Sequence, residues 1–356
     1  MKNSLKLPTE RSAAVHGRIL QLDGLRAIAI LAVLVNHTLH VPLTWAGVDV
    51  FFVLSGFLIT GILLARKRSG AGYFSYFYRR RIFRILPSYF VTLLIFGLIY
   101  GWTTFHPWPL LVFFGMNIQP FWVPHANPLP LWSLAVEEQF YLVWPVIILL
   151  VSETVLLRLA VAAVLVTPFL RAVCTHWTTN SQYIYMLTPF RADLLCAGAV
   201  LAILWKNRKP GFEERCRARA WIGVLAGFGG LAFVYRWPSF RVASNTSWSN
   251  GLDYSLSLFG AVSLLAWVLA DRSWLKRFLS SSPMRYIGEI SYTMYLVHII
   301  VLFLIMPYVA SEWLRLLFVT MGTILWATIS WFFMERPFIR FAATGNFRSQ
   351  KQKILV

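Results

Sequence analysis

Residues 22–40 read LDGLRAIAILAVLVNHTLH, an apolar run interrupted by Asp23, Arg26, Asn36, His37 and His40. As a helix this run is about 28 Å long at 1.5 Å per residue, close to the roughly 30 Å of bilayer hydrocarbon. It predicts a membrane span that carries buried polar groups. Working outward, comparable apolar blocks recur at 48–65, 86–101, 131–151, 154–172, 188–205, 220–235, 253–270, 286–307 and 312–334, with 86–101 and 220–235 the shortest. The chain is 58% hydrophobic and 13% charged, whereas soluble domains carry roughly 45–50% apolar and about 25% charged residues. The expected fold is all-α: a polytopic integral membrane helical bundle of about ten transmembrane helices.

A net charge of +19 would point to nucleic acid in a soluble protein. The positions of the charges give a different reading. Segments 1–21, 66–85, 206–219, 271–285 and 335–356 hold 26 of the 33 Lys and Arg residues, and the alternate segments between spans hold 2. The positive-inside rule then predicts both termini cytoplasmic and an even number of spans. It makes membrane lipids, not nucleic acid, the partner of the basic charge. The expected organisation is a cytoplasmic N-terminal segment 1–21, a transmembrane domain 22–335 and a cytoplasmic tail 336–356. No signal peptide is expected, since the first block carries charge and lacks a small-residue cleavage site. Cys174, Cys196 and Cys216 fall outside, within and inside the membrane, so no disulfide is expected. Trp102, Trp108, Trp122, Trp177, Trp237 and Trp248 fall in outer loops, as sugar-stacking faces or as interfacial anchors.

An ionisable group in hydrocarbon costs at least about 2.5–3.5 kcal/mol, so each is a candidate functional group. Arg26 and His37, eleven residues apart, share a helix face with about 16 Å between their Cα atoms. The blocks that start at the outer surface place Asp49, Glu137, Glu138, Arg191 and Asp193 near the depth of His37 and His40. Such a layer needs either a polar cavity or internal pairing, and a cavity is the expected form. On the opposite side, Arg79, Arg80, Arg81 and Arg84 precede the third block. This run sets topology or binds anionic headgroups; alternatively Arg81 and Arg84, at i and i+3, jointly face a phosphate. In the ninth block Ser291, Tyr295 and His298 form one stripe, explained by helix packing or by substrate contact. Pro337 is expected to end the last span. The sequence has no P-loop, no HExxH or other metal-ligand spacing and no nucleophile elbow, so no metal or bound cofactor is expected.

These stretches together resemble the membrane-bound acyltransferase-3 family, which includes bacterial O-acetyltransferases of O-antigen, exopolysaccharide and Nod factor. The matching segments are Leu22 to Ala27 with His37, Gly47 to Gly56, Arg80 to Pro87, Trp132-Ser133-Leu134 with Glu137, Ser291 to His298, and Glu335-Arg336-Pro337. They occur in family order over nearly the whole chain. The resemblance implies transfer of an acyl group, usually acetyl, from cytoplasmic acyl-CoA to a hydroxyl of an outward-facing carbohydrate or glycolipid. It implies a bacterial inner-membrane location, a catalytic His37, and contact of Arg81 and Arg84 with the acyl-CoA. His40 matches no family role. Some relatives carry a further C-terminal SGNH hydrolase-like domain, which the short tail leads one not to expect here.

The expected mechanism places donor phosphates at Arg81 and Arg84 and the pantetheine arm along the Arg26–His37 face. His37 acts as general base or acyl carrier, with Glu137 or Asp49 orienting its ring. Asp23, Asp49, Ser133, Arg191, Asp193, Tyr295 and His298 are expected to line the substrate cavity. The alternative is a proton-coupled transporter or flippase of a sugar or lipid-linked sugar.

Overall fold

The computed structural model describes residues 19–69, 72–102, 108–121, 130–178, 180–241 and 244–342. Residues 1–18 of the expected N-terminal segment, 343–356 of the expected tail, and Trp122 lie outside them. Among the described residues there is no strand. The helices are α1 (Leu20–Leu39), α2 (Ala46–Ser69), α3 (Tyr73–Tyr100), α4 (Trp108–Val112), α5 (Trp132–Leu150), α6 (Glu153–Cys174), α7 (Ser181–Met186), α8 (Ala192–Lys206), α9 (Phe212–Val224), α10 (Gly230–Val234), α11 (Tyr254–Ala270), α12 (Trp274–Leu279), α13 (Ser282–Ile305) and α14 (Glu312–Ser330). π-helical turns join α9 to α10, lead into α11 at Ser249–Asp253, and extend α14 through Trp331–Glu335. Nine of the resulting rods among the described residues are long and apolar enough to cross a membrane. The molecule is an all-α, polytopic membrane bundle.

Element boundaries differ from the apolar blocks in an instructive way. The third span begins at Tyr73, not residue 86, and the seventh at Phe212, not residue 220. Hydropathy marks where lipid begins, while the helix continues into a basic turn that hydropathy does not register. The last helix also runs past Pro337 to Ala342. The wide π-turn at Trp331–Glu335 precedes that proline and eases the clash of its ring with the carbonyl four residues back. The expected sixth span is α8, only 15 residues and about 22 Å long. Most of its residues are buried in protein, so it need not match the lipid thickness.

Residues 108–121 are a second departure from expectation. They lie in what reads as an outer loop, yet they re-enter the bundle. Tyr89, midway along α3, donates from its hydroxyl to the Leu111 carbonyl at 2.8 Å. Asn117 and Gln139 exchange amide hydrogen bonds of 3.3 and 2.9 Å, and Asn117 also donates to Thr188 at 2.8 Å. Non-helical backbone is tolerated at this depth when protein satisfies its polar groups. The apolar run is too short to announce itself as a span.

Two close crossings set the frame of the bundle. α2 and α8 run parallel and meet at Gly56 and Gly198, where an added Cβ would lie 1.9 Å from the Leu195 carbonyl oxygen and 2.1 Å from that of Val53. Small residues permit such backbone contact in membrane helices. α1 and α13 also run parallel. A Cβ on Gly288 would lie 1.9 Å from the Asp23 carbonyl oxygen, so only glycine lets α13 settle on α1 at that point.

Candidate functional site

A narrow cavity of about 90 Å³ opens among α1, α2, α3, α5 and α13. Its polar walls are Arg26 from α1, Ser55 from α2, Arg81 and Arg84 from α3, Ser133, Glu137, Glu138 and Tyr141 from α5, and Ser291, Tyr292 and Tyr295 from α13. Because α3 is helical from Tyr73 onward, the i, i+3 spacing of Arg81 and Arg84 holds them on one face, as the sequence spacing requires. Arg26 lies 3.6 Å from the carboxylate of Asp23, one turn earlier in α1. Arg81 sits 4.8 Å from the ring centroid of Tyr141. Among the described residues no carboxylate is within ion-pairing distance of Arg81 or Arg84. Two guanidinium groups that face a cavity without an anionic partner are suited to bind an anion bidentately.

Glu137 occupies the centre of the cavity wall. Ser55 donates to its Oε1 at 2.7 Å and Tyr141, one turn along α5, donates to its Oε2 at 3.0 Å. Neither Ser55 nor Tyr141 stands out in the sequence, although the i, i+4 spacing of Glu137 and Tyr141 is a readable signal. At the far end of the cavity the hydroxyls of Ser133 and Tyr295 lie 2.5 Å apart, and Tyr295 donates to the Pro130 carbonyl at 2.9 Å.

Behind Tyr295 stands a histidine pair. The rings of His37 and His298 have centroids 4.9 Å apart, with Nε2 of His298 3.3 Å from Nδ1 of His37. Nδ1 of His37 also lies 3.0 Å from the Val33 carbonyl oxygen, and Nδ1 of His298 lies 2.7 Å from that of Tyr295. The ring of His37 is therefore oriented by a carbonyl and a second imidazole, not by Glu137 or Asp49. His298 is nearly fully buried and lies behind the cavity wall instead of in it. His40 is exposed at the left-handed C-cap of α1.

Asp49, Arg191 and Asp193 belong elsewhere. Asp49 pairs with Arg191 and accepts from Ser257 of α11 at 2.7 Å. Asp193 pairs with Arg171 of α6 at 2.8 Å, and Arg171 also donates to the carbonyls of Phe190 and Asn250 at 2.7 and 2.9 Å. The guanidinium of Arg191 is ringed by Phe52, Trp132, Tyr185 and Tyr254 at 4.9–5.7 Å from their centroids. All four charged residues are fully buried. The expected outer polar cavity is, for these three residues, a closed ion-pair network. Sequence reasoning missed it because Arg171 lies near the end of its apolar block and its partner comes from another helix. Among the described residues no cluster of His, Cys, Asp and Glu is placed to hold a metal.

Known proteins resemble this chain over most of its length. The family model described as "Acyltransferase domain" matches residues 19–335, which include every residue of the cavity and of the histidine pair. The chain is 30% identical over 93% of its length to "Peptidoglycan O-acetyltransferase OatA" of Listeria monocytogenes, covering 57% of that protein. It is 31% identical over 96% of its length to "Putative peptidoglycan O-acetyltransferase YrhL" of Bacillus subtilis, again covering 57%. A "Putative O-acetyltransferase" of Staphylococcus aureus strain COL is 29% identical over 89% of the chain and 56% of its own length. The chain thus spans little more than half the length of these relatives. No solved structure matches it. With the match running through nearly all of its spans, the chain is a multi-pass integral membrane protein that belongs to the acyltransferase-3 family.

Proposed function

We propose that this protein is a membrane O-acetyltransferase that moves an acetyl group from acyl-CoA to a hydroxyl of a cell-wall glycan. The observation that carries the reading is the pair of arginines, Arg81 and Arg84, without a carboxylate in ion-pairing distance among the described residues, in a cavity whose other end adjoins the histidine pair. The donor's phosphates sit against the two guanidinium groups, with Arg26 as a third positive group on the same cavity. The pantetheine arm threads along the cavity toward Tyr295, behind which stand His298 and His37. His37 acts as general base on the acceptor hydroxyl or as a transient acyl carrier.

The distribution of Lys and Arg supports cytoplasmic termini, which puts the arginine end of the cavity on the side where acyl-CoA is made. The names of the relatives support peptidoglycan as the acceptor class. The test is transfer of label from acetyl-CoA to peptidoglycan fragments by protein in nanodiscs, with wild type compared with His37→Ala. Label in the glycan with wild type and a loss of at least about 100-fold with the variant is the expected result. Equal labelling by both removes His37 from the chemistry. Failure to label, joined with donor-independent uptake of a sugar into proteoliposomes, replaces the enzyme with a transporter.

A further inference from the structure

We propose that His298 is a positioning residue that, together with the Val33 carbonyl, holds the ring of His37 as its Nδ1–H tautomer and leaves Nε2 of His37 as the reacting nitrogen. The inference rests on the acetyltransferase reading for its purpose, but its geometry stands apart from that reading. A carbonyl oxygen accepts and never donates. Nδ1 of His298, 2.7 Å from the Tyr295 carbonyl, must therefore carry the proton of that ring. A neutral imidazole has one N–H, so Nε2 of His298 bears a lone pair. That lone pair faces Nδ1 of His37 at 3.3 Å, and the Val33 carbonyl faces the same nitrogen at 3.0 Å. With two acceptors in front of it, Nδ1 of His37 holds the proton. Its Nε2 is left unprotonated.

The two acceptors do different work. The Val33 carbonyl lies one turn back in the same helix as His37, so it moves with that helix. His298 comes from α13, whose seat on α1 is set by the Gly288 contact with the Asp23 backbone. It holds the imidazole from outside, as partners of ligating and catalytic histidines do. Tyr295 links this device to the cavity, since its carbonyl locks His298 while its hydroxyl is held by Ser133 and Pro130. In the reaction the acceptor hydroxyl gives its proton to Nε2 of His37 and its oxygen forms the new ester C–O bond. The thioester C–S bond breaks, and the departing thiolate takes the proton from Nε2. Throughout, the imidazolium faces two neutral acceptors, where a Ser-His-Asp triad would present a carboxylate.

The experiment is a histidine ¹⁵N spectrum of the full protein in nanodiscs without any donor or acceptor, with the His37 signals assigned by their loss in His37→Ala. Wild type is expected to show His37 as the Nδ1–H tautomer. His298→Leu, which keeps the apolar volume and removes one acceptor, is expected to shift the Nδ1–H signal of His37, whose proton is then left to the Val33 carbonyl. His298→Gln, whose amide oxygen reaches the Nε2 position, is expected to restore the wild-type spectrum, and unchanged thermal unfolding of this variant shows that the fold is intact. Rates should follow the spectra, with a loss of about 100-fold in kcat for His298→Leu at little change in KM for acetyl-CoA. A His37 spectrum that His298→Leu leaves unaltered overturns the proposal whatever the activity. Altered spectra without any acetyl transfer by wild type would uphold the positioning role and instead sink the acetyltransferase reading.

Discussion

The bundle buries two clusters of charge, and they are built on opposite plans. Around α2, α6, α8 and α11, Asp49 faces Arg191 and Asp193 faces Arg171, two acids against two guanidinium groups, all fully buried. Around α1, α3, α5 and α13, Arg81 and Arg84 have no ion-pair partner among the described residues, and Glu137 accepts hydrogen bonds from two hydroxyls. The first cluster encloses no solvent path to its charges; the second lines a cavity. A buried charge within a membrane protein is therefore not by itself a site. The distinction lies in whether the protein neutralises the charge or leaves that to a ligand.

That contrast is broken most severely in the closed cluster. Asp49→Ala leaves the Arg191 guanidinium buried without its anion, and loss of one partner of a buried pair costs about 3–5 kcal/mol. The expected outcome is poor recovery of folded protein or a strongly lowered midpoint of unfolding in detergent. Asp49→Leu combined with Arg191→Met, which removes both charges, should recover a large part of the loss. A double variant as unstable as Asp49→Ala alone would show that the pair is not acting as a neutral unit.

Removal of charge from the open cluster should leave the fold and take the ligand. Arg81→Ala and Arg84→Ala each delete a guanidinium with no carboxylate within ion-pairing distance among the described residues, so stability is expected to change by less than about 1 kcal/mol. Each charge-assisted hydrogen bond to phosphate is worth about 1.5–3 kcal/mol, so acetyl-CoA binding should weaken by about 10–100-fold per variant. Calorimetric titration with acetyl-CoA and with CoA measures this directly. Destabilisation of either variant to the extent of Asp49→Ala would erase the difference between the clusters.

Much of this was legible in the sequence, because the membrane imposes a coarse and strong pattern. Apolar block length located the spans, and spacing put Arg81 beside Arg84. What was not legible depended on pairing between distant helices. Asp49 and Arg191 look as much like cavity residues as Glu137 does, since each is an ionisable side chain near the start of an apolar block. Only the crossing of α2 and α8 at Gly56 and Gly198 brings them into register. His298 read as one member of a polar stripe, and its contact with His37 needed the parallel seating of α13 on α1. The re-entrant segment 108–121 was hidden by its brevity.

The smallest effect gives the closest comparison, since each cluster contains one serine bonded to a carboxylate at the same distance. Ser257 donates to Oδ2 of Asp49 at 2.7 Å, and Ser55 donates to Oε1 of Glu137 at 2.7 Å. If hydrogen-bond length alone set the energy, Ser257→Ala and Ser55→Ala would cost the same. Their surroundings say otherwise. Asp49 is sealed in protein, so loss of Ser257 leaves one of its oxygens without a donor, at about 1.5–3 kcal/mol. Glu137 lines the cavity, where water can replace the lost hydroxyl, and Tyr141 still holds its other oxygen. The cost of Ser55→Ala should then stay below about 1 kcal/mol. Unfolding midpoints of the two variants, measured side by side in the same detergent, decide the point. Equal shifts would mean that the cavity is as dry as the closed cluster, and that a donor would have to bring its own solvation to reach Glu137.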